Sequence, residues 1–80
     1  MRTKYIKTED NQIVVFSEYF QHSDFRSKKP TSAGFISFGV GKDGNPSCTC
    51  YGESVSLGLK SDGEIDTKLA DKQILGNGYW

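Results

Sequence analysis

The chain has 80 residues, two cysteines, and ten basic against ten acidic residues, so its formal net charge is zero. A chain of this length is expected to form one small domain over residues 1–80, and its neutral balance argues against a strong electrostatic trap for nucleic acid. Two cysteines are too few for a disulfide scaffold, and no window approaches the roughly 18 consecutive apolar residues of a membrane span.

The first ten residues, MRTKYIKTED, carry charges with no apolar run behind them. This pattern predicts that no signal peptide is present, and we therefore expect a cytoplasmic protein with reduced thiols. The charge is uneven, because residues 1–42 hold seven bases and four acids, whereas residues 43–80 hold three bases and six acids. A basic patch around Arg26, Lys28 and Lys29 and head-to-tail contact between copies both fit this distribution.

Two short segments near the start predict a β-hairpin. Residues 4–8 and 12–17 are strand-like, and the polar triplet Glu9-Asp10-Asn11 between them suits a tight turn. The second segment contains the run IVVF, which predicts a strand buried on both faces or nearly so.

Residues 17–31 lack a sustained helical or strand period. Pro30 disfavours helical backbone at Lys29, so we expect an ordered loop with one short helical turn that ends before the proline. A segment of about 15 residues without regular structure is uncommon in a compact domain and is often functional. This segment is the first candidate contact surface.

Residues 32–59 predict the centre of an antiparallel sheet. Residues 33–40 and 47–51 are strand-like and are joined through Asp43-Gly44, a common hairpin signal. Residues 55–60 alternate apolar with small or polar side chains, which predicts a fifth strand with one wet face.

The last part of the chain predicts a helix. Ser61 and Glu64 have the spacing of a capping box, and Gly76 is a natural stop. One apolar stripe would pack on the sheet; its members are Ile65, Leu69 and Leu75. The predicted fold is α+β, an antiparallel sheet of four to five strands with two hairpins, flat or curled into a small barrel, and one C-terminal helix.

Cys48 and Cys50 are the most reactive pair by residue type. On a strand their side chains share a face about 6.5–7 Å apart, which is too far for an easy disulfide within the pair. A structural zinc site wants about four ligands, and His22 is the only histidine. Two buried apolar side chains are therefore the favoured interpretation, and a metal site or a Cys50–His22 nucleophilic pair is the weaker alternative.

Aromatic residues on the predicted strands have two interpretations. Tyrosines on a wet face beside lysines are typical of small β domains that bind single-stranded nucleic acid, and Tyr5 and Tyr51 have this pattern loosely. Core packing is favoured for the phenylalanines, which are Phe16, Phe35 and Phe38. Tyr79 and Trp80 at the end are expected to fold back onto the sheet or to contact a partner.

The run CYGESVSL at residues 50–57, together with Gln21-His22-Ser23 and the SAGF run at residues 32–35, resembles short proteins of unknown function in bacterial genomes and mobile elements. The resemblance covers much of the chain. It implies a small intracellular bacterial or phage-related protein, with no particular activity or site residues.

The predicted function is non-catalytic binding, without a cofactor or metal, to a protein partner or to a second copy. Nucleic-acid or nucleotide binding through the basic N-terminal half is the alternative. The third hypothesis is an enzyme or metal site built from Cys48, Cys50 and His22. The candidate contact residues are His22, Phe25, Arg26, Lys28, Lys29, Tyr79 and Trp80.

Overall fold

The computed structural model describes residues 2–76. Within that range the elements are β1 (Thr3–Thr8), β2 (Ile13–Ser17), a 3-10 helix (His22–Lys28), β3 (Pro30–Val40), β4 (Pro46–Tyr51), β5 (Glu53–Ser54), β6 (Leu59–Lys60), α1 (Gly63–Ala70) and a π-helical turn (Asp71–Leu75). The α+β class is confirmed: a four-stranded antiparallel sheet in the order β2-β1-β3-β4 lies beside the small β5–β6 sheet and the C-terminal helix. The larger sheet is open, with β2 and β4 at its edges. No helix in residues 2–76 is long and apolar enough to cross a membrane.

Both predicted hairpins form. β1 pairs with β2 across the polar turn, where Asn11 adopts a positive φ of 61°. β3 pairs with β4 across residues 41–45, where the Gly41 N–H donates to the Asn45 carbonyl and Gly44 has a φ of 82°. Asparagine and glycine tolerate this left-handed backbone, so the turn residues fix where each pair of strands reverses.

The sheet has two covered faces because successive side chains of a strand point to opposite sides. One face, called the helix face here, carries the cluster of Tyr5, Ile36, Cys48 and Cys50, which packs against Ala70 of α1. The other face, called the loop face, is covered by the 3-10 helix and by the segment around β5 and β6. Its cluster consists of Ile6, Phe16 and Ala33, with Val14, Phe25, Leu57 and Leu59 packed against it.

Two strand predictions are wrong. β2 is an edge strand with Val15 40% exposed, so it is not buried on both faces. Residues 55–60 do not form a fifth strand, because residues 55–58 make the turn of the β5–β6 hairpin and Val55 is 88% exposed. The Leu57 N–H donates to the Ser54 hydroxyl inside this turn. Such a local side-chain acceptor offers the backbone an alternative to a strand ladder.

A buried carboxylate sets the orientation of α1. Asp66 is fully buried, and its Oδ2 accepts hydrogen bonds from the hydroxyls of Tyr5 at 2.5 Å and Ser32 at 2.6 Å. The Asp62 N–H donates to the same oxygen at 3.2 Å. The Lys7 ammonium lies 3.3 Å from Oδ1 as its ion-pair partner. A buried charge is tolerated when it is paired and hydrogen-bonded in this way.

The buried side of α1 therefore differs from the predicted apolar stripe, because Asp66 occupies a buried position. Ile65, the neighbour of the buried aspartate, is exposed, so the prediction is wrong at that position, although Leu75 does pack against the core. Ser61 does not cap the helix, since its hydroxyl contacts the Tyr5 hydroxyl instead. Gly76 ends the helical segment with a φ of 67°, as predicted.

Candidate functional site

An open cleft of about 690 Å³ lies on the loop face, between the start of the 3-10 helix and the β5–β6 hairpin. Ligand sites in proteins commonly have volumes of about 300–1,000 Å³ and combine apolar walls with a few polar groups. The lining side chains that define the chemistry of the cleft are Arg2, Lys4, Gln21, Phe35, Tyr51 and Glu53.

Two neighbouring aromatic rings line the cleft, one half-buried and one exposed. Phe35 of β3 and Tyr51 of β4 are direct cross-strand neighbours, with ring centroids 5.9 Å apart and planes tilted by 31°. Tyr51 is 40% exposed. The Arg2 guanidinium carbon lies 4.5 Å from the centroid of the Phe35 ring, within the range of a cation–π contact. The pair therefore offers aromatic surface with a positive charge beside it.

Lys4 borders the aromatic pair together with Arg2, and a third basic side chain, Arg26, contacts the wall of the cleft. Lys4 is the cross-strand neighbour of Phe35, and its ammonium donates to the Phe20 carbonyl at 2.8 Å. Arg26 donates from Nη2 to the carbonyl of Ser56, a residue that lines the cleft, at 3.2 Å. Lys4 and Arg26 are held by backbone carbonyls, and Arg2 lies on an aromatic ring. Because these partners are uncharged, the contacts position the three side chains without neutralising them.

Two acids moderate this positive field. The Arg2 backbone N–H donates to a Glu18 carboxylate oxygen at 3.2 Å, and Glu53 lines the cleft itself. The cleft therefore has both hydrogen-bond acceptors and cations, and two of the cations, Arg2 and Lys4, lie beside the Phe35 ring.

His22 lines the cleft but serves as a tether. It is 4% exposed and lies edge-on to the rings of Phe16 and Phe35, with centroids 5.5 and 6.0 Å away. Its Nε2–H donates to the Gly34 carbonyl at 2.8 Å, which fixes the start of the 3-10 helix on β3. Burial lowers the pKa of His22 and the nearby Lys4 charge lowers it further, while the bond to the Gly34 carbonyl opposes both. The ring is therefore neutral at pH 7.

The remaining predicted contact residues lie in different places. Phe25 is half-buried and stacks on Phe16 with centroids 4.1 Å apart, so it belongs to the packing of the loop face. Lys28 and Lys29 are exposed at the end of the 3-10 helix, and Lys28 borders a second hollow of about 400 Å³. Tyr79 and Trp80 lie outside the described residues.

The cysteines are confirmed as buried side chains of the helix face. Both are free thiols in the core cluster, whereas His22 packs on the loop face, so the sheet separates the imidazole from both sulfurs. Burial raises the pKa of the Cys48 thiol and raises that of Cys50 to about 12. Within residues 2–76 no three His, Cys, Asp or Glu side chains come together as a metal-binding group.

Sequence reasoning missed most of the cleft. The sequence pattern indicates Tyr51, but its pairing with Phe35 depends on the register of β3 and β4, and the contributions of Arg2 and Lys4 depend on the pairing of β1 with β3. Tyr5, which fits the wet-face pattern of the nucleic-acid interpretation only loosely, is fully buried against Asp66.

The core assignment of the phenylalanines also fails at one position. Phe38 is 49% exposed near the end of the β3–β4 hairpin, whereas Phe16 is buried as predicted. The reason is length: β3 continues past Ile36, the partner of the first residue of β1, so its last residues have no neighbouring strand on that side.

Comparison with known proteins adds no assignment: no protein-family model, curated protein or solved structure matches this chain. The resemblance to short bacterial and mobile-element proteins stays an expectation from sequence. The functional proposal is therefore based on the geometry of the cleft.

Proposed function

We propose that this protein is a small non-catalytic binding domain and that its ligand occupies the cleft on the loop face. The observation that carries the proposal is the row formed by Lys4, Phe35 and Tyr51, which are successive cross-strand neighbours on three adjacent strands. A cation followed by a half-buried ring and an exposed ring on a sheet suits a ligand that combines a flat apolar group with negative charge.

The surrounding contacts support a preformed site. The His22–Gly34 bond anchors one wall, and the Arg26–Ser56 bond links the 3-10 helix to the opposite wall. A site whose side chains are already held in place loses less conformational entropy when a ligand binds. The aromatic pair is therefore available without rearrangement of the sheet.

Aromatic carboxylates provide a direct test. We expect benzoate and indole-3-carboxylate to shift the backbone amide signals of Phe35, Gly52 and Gln21 in a saturable way in two-dimensional NMR spectra. Cyclohexanecarboxylate, which has the same charge but no aromatic ring, is the matched probe and should cause smaller shifts. Tyr51→Leu should weaken the effect of the aromatic probes. Absence of saturable shifts at these amides, or equal shifts from all three probes, would contradict the proposal.

Self-association is a second candidate, favoured by the edge of β3. The β1–β3 ladder ends at the pair of Thr3 and Ile36, so residues 37–40 pair with β4 alone among the described residues. Phe38 and Val40 are exposed in this stretch. An uncovered edge with apolar side chains is a ready template for a strand of another chain, and a second copy would present the same edge.

Light scattering tests this second candidate. We expect a dimer mass that falls to the monomer mass in Val40→Lys, measured on the full chain. Deletion of residues 77–80 shows separately whether Tyr79 and Trp80 contribute. A monomer mass for the unmodified chain at high concentration would rule out self-association.

A cytoplasmic location belongs to the same proposal. Its support is that Cys48 and Cys50 are free and are built into the core as thiols. Thiols persist in a reducing compartment.

A further inference from the structure

We propose that the ligand of the cleft is a single-stranded nucleic acid, with one base stacked on the exposed Tyr51 ring beside Phe35 and the adjacent phosphates held by Arg2, Lys4 and Arg26. This inference rests on the proposed function and names the ligand class of the same site.

The base is the part of the ligand that the rings select. Stacking on an aromatic side chain needs an exposed ring face, and every nucleobase presents a flat π surface. In a duplex these faces are hidden by the neighbouring base pairs, so only an unpaired base can lie on Tyr51. Gln21 and Glu53 line the same cleft and provide donor and acceptor groups for the base edge.

The phosphates are the part that the cations select. Lys4 lies directly beside Phe35 on the neighbouring strand, and the Arg2 guanidinium lies on the same ring. Arg26 donates to the carbonyl of Ser56, a residue that lines the cleft. A backbone that places one base in the cleft can therefore meet Arg2 and Lys4 directly and Arg26 next to the lining. Single-stranded nucleic-acid sites combine stacking platforms with such basic tracks.

The surface beyond the cleft leaves room for further nucleotides. Ser37 and Thr49 are the next cross-strand pair on the loop face, and both are exposed and small. In the other direction the 3-10 helix ends with the exposed Lys28 and Lys29. An extended acidic peptide would use the cations but has no flat groups for the two rings, which is why the nucleic acid is favoured.

Fluorescence anisotropy with labelled twelve-residue oligo-dT and oligo-U, each at 50 mM salt, tests the inference. If three phosphates are contacted, binding should weaken by about 20-fold between 50 and 200 mM salt, since each contact on a single strand contributes about 0.7 to the logarithmic salt slope. Arg2→Gln and Lys4→Gln should each lower that slope by about 0.7, whereas Lys42→Gln in the 41–45 loop should leave it unchanged.

The stacking step has its own variants. Tyr51→Leu should weaken binding by about 5- to 150-fold, the range measured when one stacked aromatic is lost, and Tyr51→Phe should bind like the unmodified chain. Tyr19→Ala removes another exposed tyrosine, outside the lining of the cleft, and should have no effect. Because Tyr51→Phe keeps the ring, it reports on stacking even if the leucine variant folds poorly.

Four results would overturn the inference. The first is equal affinity for single strands and for a duplex, and the second is a folded Tyr51→Leu variant that binds as tightly as the unmodified chain. The third is competition by oligo-glutamate as strong as that by oligo-dT. The fourth is no binding of either oligonucleotide at 50 mM salt. In the last case, saturable shifts from aromatic carboxylates would leave the proposed binding function standing with another ligand. Loss of both responses would contradict the proposed function as well.

Discussion

Replacement of Asp66 by alanine should be the most damaging single change on the helix face. The substitution removes the acceptor of the Tyr5 and Ser32 hydroxyls and leaves the Lys7 ammonium, whose side chain is 13% exposed, without its counter-charge. Breaking a buried ion pair by removing one partner costs about 3–5 kcal/mol. An 80-residue domain has a total stability of about 4–12 kcal/mol, so a large share of it would be lost.

Urea unfolding and thermal unfolding, both followed by far-UV circular dichroism, measure this loss. For a domain of this size each 1 kcal/mol lowers the melting temperature by roughly 4–8 °C, so Asp66→Ala should lower it by about 12 °C or more. Glu64→Ala is the matched control, because it removes another acid from α1 whose partner Lys68 lies 3.9 Å away on the exposed surface. Exposed pairs contribute about 0–1 kcal/mol.

The outcome shows whether the buried network around Asp66 stabilises the fold. If the free energies of unfolding of Asp66→Ala and Glu64→Ala differ by less than about 1 kcal/mol, the buried network does not stabilise the fold and the reasoning is refuted. If the network is the cause, the double variant Lys7→Met with Asp66→Leu should recover much of the loss. Apolar residues of similar volume leave no uncompensated buried charge.

Three further predictions concern the core and its titration. Gly34→Ala should cost about 1–3 kcal/mol, because its Cβ would clash with a carbonyl of β4, whereas Gly39→Ala on the same strand meets no atom within 4 Å and should change unfolding by less than about 0.5 kcal/mol. Burial lowers the folded-state pKa of His22, so the unfolded chain protonates first. Stability should hold above about pH 6.5 and fall below it, and His22→Gln should remove that fall in urea midpoints measured from about pH 7.5 to 5.5. The buried thiols of Cys48 and Cys50 should react with Ellman's reagent at pH 8 more slowly in the folded protein than in urea; an equally fast reaction of the folded protein would contradict the raised thiol pKa values.

The first hairpin shows what local sequence can predict. Its turn, Glu9-Asp10-Asn11, lies midway between the two strands, and Asn11 adopts the left-handed backbone that asparagine tolerates. The α+β class and the stop at Gly76 follow in the same way from turn chemistry and side-chain periodicity.

The second hairpin shows why the site was not predictable. A two-residue turn at Asp43-Gly44 would place Phe35 opposite Gly52, but the loop spans five residues, 41–45, and places Phe35 opposite Tyr51. A shift of one residue moves every side chain of a strand to the other face. The aromatic pair of the cleft therefore depends on a loop length that the Asp-Gly signal does not determine.

The helix shows a second limit. Periodicity assigns apolar residues to the buried side, yet the buried position on α1 is Asp66, held by groups from β1 and β3 that are more than thirty residues away. Such a partner set exists only after the sheet has formed. No local pattern in residues 61–76 contains it.

The two faces of the sheet divide stability from binding. The helix face holds the Asp66 network and the cysteine core, whereas the loop face presents Phe35 and Tyr51 beside the cations Arg2 and Lys4. Distant sites without shared partners contribute additively, so a change at Tyr51 should alter ligand affinity with little effect on unfolding, and a change at Asp66 should do the reverse. If the changes at Tyr51 and Asp66 instead altered both ligand affinity and unfolding by similar amounts, the two faces of the sheet would be energetically coupled. The cleft would then not be an independent binding site.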